Sequence, residues 1–215
     1  MSFMLCLALA FSVLVPMNTV TAQAATKKIN ILMIGNSLTY TAKYSNSTIR
    51  CLKNLGANSN YTFNIRYIAY GGECLETYAN TNTSRGKEAA NLINSRTWDV
   101  VILQQETDHA IKQGNSLKKA AKTLATRIRK KSPKAKIIMN CTWAYDKKKL
   151  GYTHAQQQKR MNANYAAAAK EISAKVVYSG NAFDQYRKTK GALNLYRADK
   201  NHATEAGWYL NACCL

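Results

Sequence analysis

Several things are scarce in this 215-residue chain. It has two prolines, three histidines and only 11 acidic side chains against 31 lysines and arginines, for a formal net charge of +20. No stretch reaches the roughly 20 apolar residues that a membrane-spanning helix needs. No CxxC pair or local cluster of histidine and cysteine is present, so the sequence predicts no metal site. No internal repeat, low-complexity segment or linker interrupts the pattern, which argues for one domain. Zinc-finger, KH and RRM patterns are also missing, so specific nucleic-acid binding would rest on charge alone and is not predicted. A positive field of this size instead favours polyanions. For an exported chain the nearest are anionic cell-wall polymers and lipid.

Export is what the beginning suggests. "MLCLALAFSVLV" (residues 4–15) is apolar but short, and "TAQAAT" follows with the small residues Ala22 and Ala24 spaced as signal peptidase prefers. Residues 1–25 therefore read as a signal peptide, cut after Ala24 or Ala25, and residues 26–215 as the mature domain, secreted or held at the cell surface. Removing Cys6 with the leader leaves Cys51, Cys74, Cys141, Cys213 and Cys214. An odd number with two adjacent is a poor disulfide framework. The sequence stops at "LNACCL" inside a helical pattern, which points to a chain that continues.

What is present alternates in type. Short β-rich runs occur at 29–35, 61–70, 98–104, 135–143 and 175–180. Three carry continuous apolar cores, as strands covered on both faces do. Helical patterns lie between them. In "SLKKAAKTLATRIRKK" the residues Leu117, Ala121, Leu124 and Ile128 recur at helical spacing, with basic residues on the other side. This rhythm predicts an α/β fold, a three-layer α/β/α sandwich around a mainly parallel five-stranded sheet, whose ligands sit at the carboxyl ends of the strands.

Those ends carry the chemistry. The first strand, "INILMIG", runs into Asn36, Ser37 and Leu38; Ser37 reads either as a helix N-cap or as a nucleophile. The second ends at Gly71-Gly72, a tight turn or a bare backbone whose N–H faces a bound oxygen. The third ends in Gln104-Gln105-Glu106-Thr107-Asp108, followed by His109; a side-chain amide at such a strand end needs partners, either a substrate oxygen or the loop that it orders. The fourth is followed by Trp143 and Tyr145, which either wall a pocket or pack under the last helix. Near the end, Asp199 and His202 are three apart. One turn sets them side by side, so that the carboxylate holds the imidazole Nδ1–H and leaves Nε2 as a base. Of the other histidines, His109 sits at the mouth of the third strand and His154 opens a helix in a structural setting.

Taken together, these blocks resemble the GDSL/SGNH hydrolase superfamily. Gly35-Asn36-Ser37-Leu38 matches its nucleophile motif with asparagine for aspartate, Gly72 its second-block glycine, and Asp199 and His202 its closing DxxH, with Gly207 five residues past the histidine as the family habitually has it. The third block departs and is closer to the sialate O-acetylesterase branch, whose motif is of the Gln-Gly-Glu-Ser type; Gln105 stands where that motif has glycine. The resemblance covers nearly the whole mature chain and implies a flavodoxin-like fold and a serine esterase. It implies Ser37, His202 and Asp199 as the triad and the Ser37 and Gly72 N–H groups with the Gln104 amide as oxyanion hole. Asn36, Gln105, Trp143, Tyr145 and His109 would line the substrate pocket, with no metal or organic cofactor. The expected substrate is a short acyl ester, above all O-acetyl on carbohydrate. Lipolytic or thioester cleavage, and non-catalytic glycan binding on the same fold, are the alternatives.

Overall fold

The computed structural model describes residues 27–42, 47–57, 59–189 and 193–215. The expected signal peptide and its cleavage site lie outside the described residues. Among those described, no helix is long and apolar enough to cross a membrane.

Five parallel strands, β1 (Lys27–Gly35), β2 (Tyr61–Ala69), β3 (Val100–Leu103), β4 (Lys136–Asn140) and β5 (Lys175–Val177), form one sheet in the order β2-β1-β3-β4-β5. Between them lie α1 (Thr48–Ala57), α2 (Leu75–Ala79), α3 (Ser84–Asn94), α4 (Thr107–Lys112), α5 (Gly114–Lys131) and α6 (His154–Glu171). After β5 come α7 (Ser179–Lys188) and α8 (Glu205–Cys214). β1 is an interior strand, which explains its unbroken apolar run: Leu32 and Ile34 pack into the core on one face, and Ile31 and Met33 pack with Ile49, Leu52 and Ala212 on the other. The larger core takes Leu117, Ala121, Leu124 and Ile128 from α5, the stripe read from the sequence.

Three expected strands, β3, β4 and β5, are shorter than their runs by three residues or more. β4 ends at Asn140; the Cys141 N–H still bonds to Val177 O at 2.8 Å, and further on two glutamines of α6 hold the backbone instead, Gln158 Oε1 accepting from Ala144 N–H at 2.8 Å and Gln157 Oε1 from Tyr145 N–H at 3.2 Å. β5 gives way after Val177 to α7, whose first residue Ser179 donates its hydroxyl to Asn140 Oδ1 at 2.9 Å.

The chain leaves β1 for β2 on one side and later returns to β3 on the other. The order therefore reverses between β1 and β3, where open parallel sheets present their ligand crevice. Ser37 and Gln104 follow these two strands directly.

Candidate active site

β1 ends in a turn in which the Thr39 and Tyr40 N–H groups both bond to Asn36 O, at 2.9 and 3.1 Å. Ser37 therefore sits in a tight turn and caps no helix, since α1 starts only at Thr48. Asn36 Oδ1 accepts from Leu38 N–H at 3.0 Å, and Asn36 Nδ2 donates to Glu73 O at 3.2 Å, joining this turn to the one after β2. Beneath it, the fully buried Gln104 Oε1 accepts from Asn36 N–H at 3.0 Å and from Thr39 Oγ1 at 2.9 Å. Gly35 is required here. A Cβ at that position would lie 2.4 Å from Thr39 Oγ1 and 2.5 Å from Gln104 Oε1.

The opposite wall is the loop before α8. A bridge between Tyr196 and Ala203, the Arg197 N–H bonded to His202 O at 2.8 Å, and the Lys200 N–H bonded to Arg197 O at 2.9 Å close a short turn. Asp199 and His202 share one side of it. Asp199 Oδ1 accepts from the Asn201 and His202 N–H groups at 3.0 and 2.9 Å, leaving Oδ2 for His202 Nδ1 at 2.6 Å. His202 Nε2 then lies 2.9 Å from Ser37 Oγ, across 165 positions of chain. Partial burial pushes the Asp199 carboxyl up, but the bonds from the imidazole and the two backbone N–H groups outweigh it and hold the group below its ordinary range. An ionised carboxylate on Nδ1 fixes the tautomer in which Nε2 accepts the serine proton.

Gly72 lies in the turn after β2, at a φ of 70°, in the left-handed region that favours glycine. The turn is closed by the Glu73 N–H on Tyr70 O at 3.2 Å, and the hydrogen bond from Asn36 to Glu73 O sets it next to Ser37.

Other expected site residues take different positions. Besides its two acceptor bonds, Gln104 donates Nε2 to Gln105 O, so its amide is part of the scaffold under the nucleophile turn and is not aimed at a substrate oxygen. Gln105 is likewise buried: Oε1 accepts from Leu75 and Glu106 N–H at 3.0 and 2.8 Å, and Nε2 donates to Glu76 Oε2 at 2.8 Å. Asn36 is buried and committed to the two turns. Trp143 and Tyr145 are buried in side-chain packing. Tyr145 is buried and donates its hydroxyl to Asp108 Oδ1 at 2.7 Å. Trp143 is fully buried, stacks on Phe183 at 4.3 Å and donates Nε1–H to Asn201 O at 2.7 Å. It thereby braces the peptide between Asp199 and His202, a positioning task that no motif in the sequence announces. His109 faces Glu76, with 3.6 Å between Nδ1 and Oε1.

A serine, an imidazole and a carboxylate in line at the switch point define a serine-hydrolase arrangement. No protein-family profile matches the chain, and no curated protein matches it. Solved structures are. A protein from Slackia heliotrinireducens assigned to the SGNH hydrolases is 25% identical, with a TM-score of 0.73, over 87% of this chain and 97% of that one. A DUF4886 family protein from Bacteroides uniformis also has a TM-score of 0.73, at 21% identity over 87% and 81% of the two chains. An acetyl-xylooligosaccharide esterase from a Geobacillus has a TM-score of 0.63, at 14% identity over 88% and 94%. The chain has the fold of the GDSL/SGNH hydrolase superfamily, and fold and site together are those of a hydrolase of that type. These neighbours do not single out the sialate O-acetylesterase branch.

Proposed function

We propose that the protein is an exported serine esterase that removes short acyl groups, chiefly O-acetyl, from carbohydrate. The observation that carries the reading is the unbroken line from Asp199 Oδ2 through the imidazole to Ser37 Oγ, at 2.6 and 2.9 Å. Ser37 attacks the ester carbonyl while His202 Nε2 takes its proton and passes it to the departing alkoxide. The backbone N–H groups of Ser37 and Gly72 hold the developing oxyanion, each worth roughly 3 kcal/mol of barrier. Water, deprotonated by the same imidazole, frees the acyl group and restores the serine. No step calls on a metal or organic cofactor.

The preference for acetylated sugar draws on the likeness to the Geobacillus esterase, whose substrate is an acetylated oligosaccharide. Charge adds a second contact. A groove of about 710 Å³ runs between α3 and α5, lined by Lys122, Arg127, Lys130 and Lys131 among others. It extends to Asn94 and Lys131, the helix ends that lead into β3 and β4, on the side of the strands' amino ends and away from Ser37. An anionic wall polymer held there would keep the enzyme at its substrate. This attraction should weaken steeply as salt rises.

The test is acetate release from a panel of acetylated glycans. Wild-type protein should release acetate from at least one of them and Ser37→Ala from none. Equal release by both would end the reading. Activity confined to long-chain esters would move the substrate class to lipids.

A further inference from the structure

The fold brings together three side chains that the sequence keeps apart and that the esterase reading does not use. Cys74 precedes α2, Glu76 lies in its first turn, and His109 lies in α4. One ligand atom from each, a thiol sulfur, a carboxylate oxygen and an imidazole nitrogen, falls within 4.8 Å of the other two. Two of these atoms are stranded. Glu76 Oε1 and His109 Nδ1 are both buried, and neither has a hydrogen-bond partner. They face each other across 3.6 Å, too long for a hydrogen bond. The separation is within ion-pair range, yet burying two polar atoms without a hydrogen bond is costly unless something is shared between them.

A metal ion accounts for the spacing. Tetrahedral zinc, with bonds of about 2.0 Å to nitrogen and oxygen and about 2.3 Å to sulfur, sets its ligands roughly 3.3–3.7 Å apart. The Glu76–His109 separation already falls in that span, and the longest edge of the triangle needs to contract by only about an ångström. The surroundings hold the ligands in place. The other Glu76 oxygen accepts from the buried Gln105 amide at 2.8 Å, the backbone N–H of His109 donates to Glu106 Oε2 at 2.9 Å, and Thr77 Oγ1 lies 3.5 Å from Cys74 Sγ. Such outer contacts orient ligands and raise metal affinity.

We propose that Cys74, Glu76 and His109 form a zinc site, with the fourth position left to a water molecule. Thiolate, imidazole and carboxylate together favour zinc over the harder magnesium and calcium. On binding, the Cys74 thiol gives its proton to solvent and a Zn–S bond forms, with no change in oxidation state. The ion would tie α2 to α4 two residues beyond Gly72, bracing the turn that carries the proposed oxyanion donor. The site itself does not depend on the esterase reading.

The experiment uses untagged protein, stripped with chelator under reducing conditions and titrated with Co²⁺ as the probe. Expected is a near-ultraviolet thiolate-to-cobalt band that saturates at one equivalent and disappears on adding Zn²⁺ but not Ca²⁺. Cys74→Ser should abolish the band, and His109→Ala should weaken cobalt binding at least about tenfold. Cys213→Ser and Ser37→Ala should both bind as wild type, since neither residue belongs to the site. All of these residues except Cys213 are partly buried, so thermal melts accompany each variant, and the two ligand variants serve as independent tests. No band at stoichiometric cobalt, or a band retained in folded Cys74→Ser, would overturn the proposal, the second outcome by assigning the metal to another thiol.

Discussion

Replacing Gln104 by leucine distinguishes a scaffold from an oxyanion donor. The amide is fully buried and serves three partners at once: the Asn36 N–H, the Thr39 hydroxyl and the Gln105 carbonyl. Leucine nearly matches its volume and removes all three bonds. Stranding a buried polar group costs about 1–2 kcal/mol each, so the variant should lose roughly 3–6 kcal/mol of stability. For a domain of this size each kcal/mol moves the melting temperature by about 2–4 °C, which predicts a fall of roughly 6–24 °C by circular dichroism or calorimetry. Turnover of a small aryl acetate should fall as well, because the Ser37 turn rests on that amide. An oxyanion donor would behave differently: kcat would drop by about 10²–10³ with the melt nearly unchanged. A shift below about 2 °C together with such a loss of kcat would refute the scaffold assignment.

Other perturbations act on named contacts. Trp143→Phe keeps the stacking on Phe183 but removes the donor to Asn201 O, and should lower kcat about tenfold, or about 1.4 kcal/mol of barrier, with KM little changed; an unaltered kcat would mean the Asp199–His202 turn stands without it. Gly35→Ala drives a methyl into Thr39 Oγ1 and Gln104 Oε1 and should cost roughly 1–3 kcal/mol in a denaturant titration while reducing turnover. His154 is held by Asp184 Oδ1 at 2.6 Å and by Tyr145 O at 2.8 Å; the bond to Asp184 raises its pKa above the ordinary value, against the opposing effect of burial. The folded state therefore binds this proton more tightly than the unfolded chain. The stabilisation is complete below about pH 6.5 and is lost as pH rises through the folded value, and Asp184→Asn should flatten that part of the stability–pH curve.

Much of the architecture was legible because the relevant signals are local. β1 announces itself by an apolar run that only a strand covered on both faces tolerates, and α5 by Leu117, Ala121, Leu124 and Ile128. Asp199 and His202 were readable as a pair because three residues of separation and one turn suffice to join them. The bond from His202 to Ser37 was an inference from topology, since only the shared sheet edge relates two residues so far apart in the chain. What sequence did not reveal is how amides and indoles are oriented. Whether Gln104 faces a substrate or a neighbouring peptide depends on a side-chain torsion, and the reach of Trp143 to Asn201 depends on how α7 and α8 pack around its ring. The meeting of Cys74, Glu76 and His109 was hidden for a related reason: it arises from the placement of α2 against α4, and no spacing in the chain encodes it.

The central claim is that His202 activates Ser37. Treating the protein with a fluorophosphonate and mapping the adduct by peptide mass tests it most directly. A single adduct on Ser37 is expected, forming at least about 10²-fold more slowly in His202→Ala. An adduct on another residue, or an unchanged labelling rate in that variant, would contradict the account.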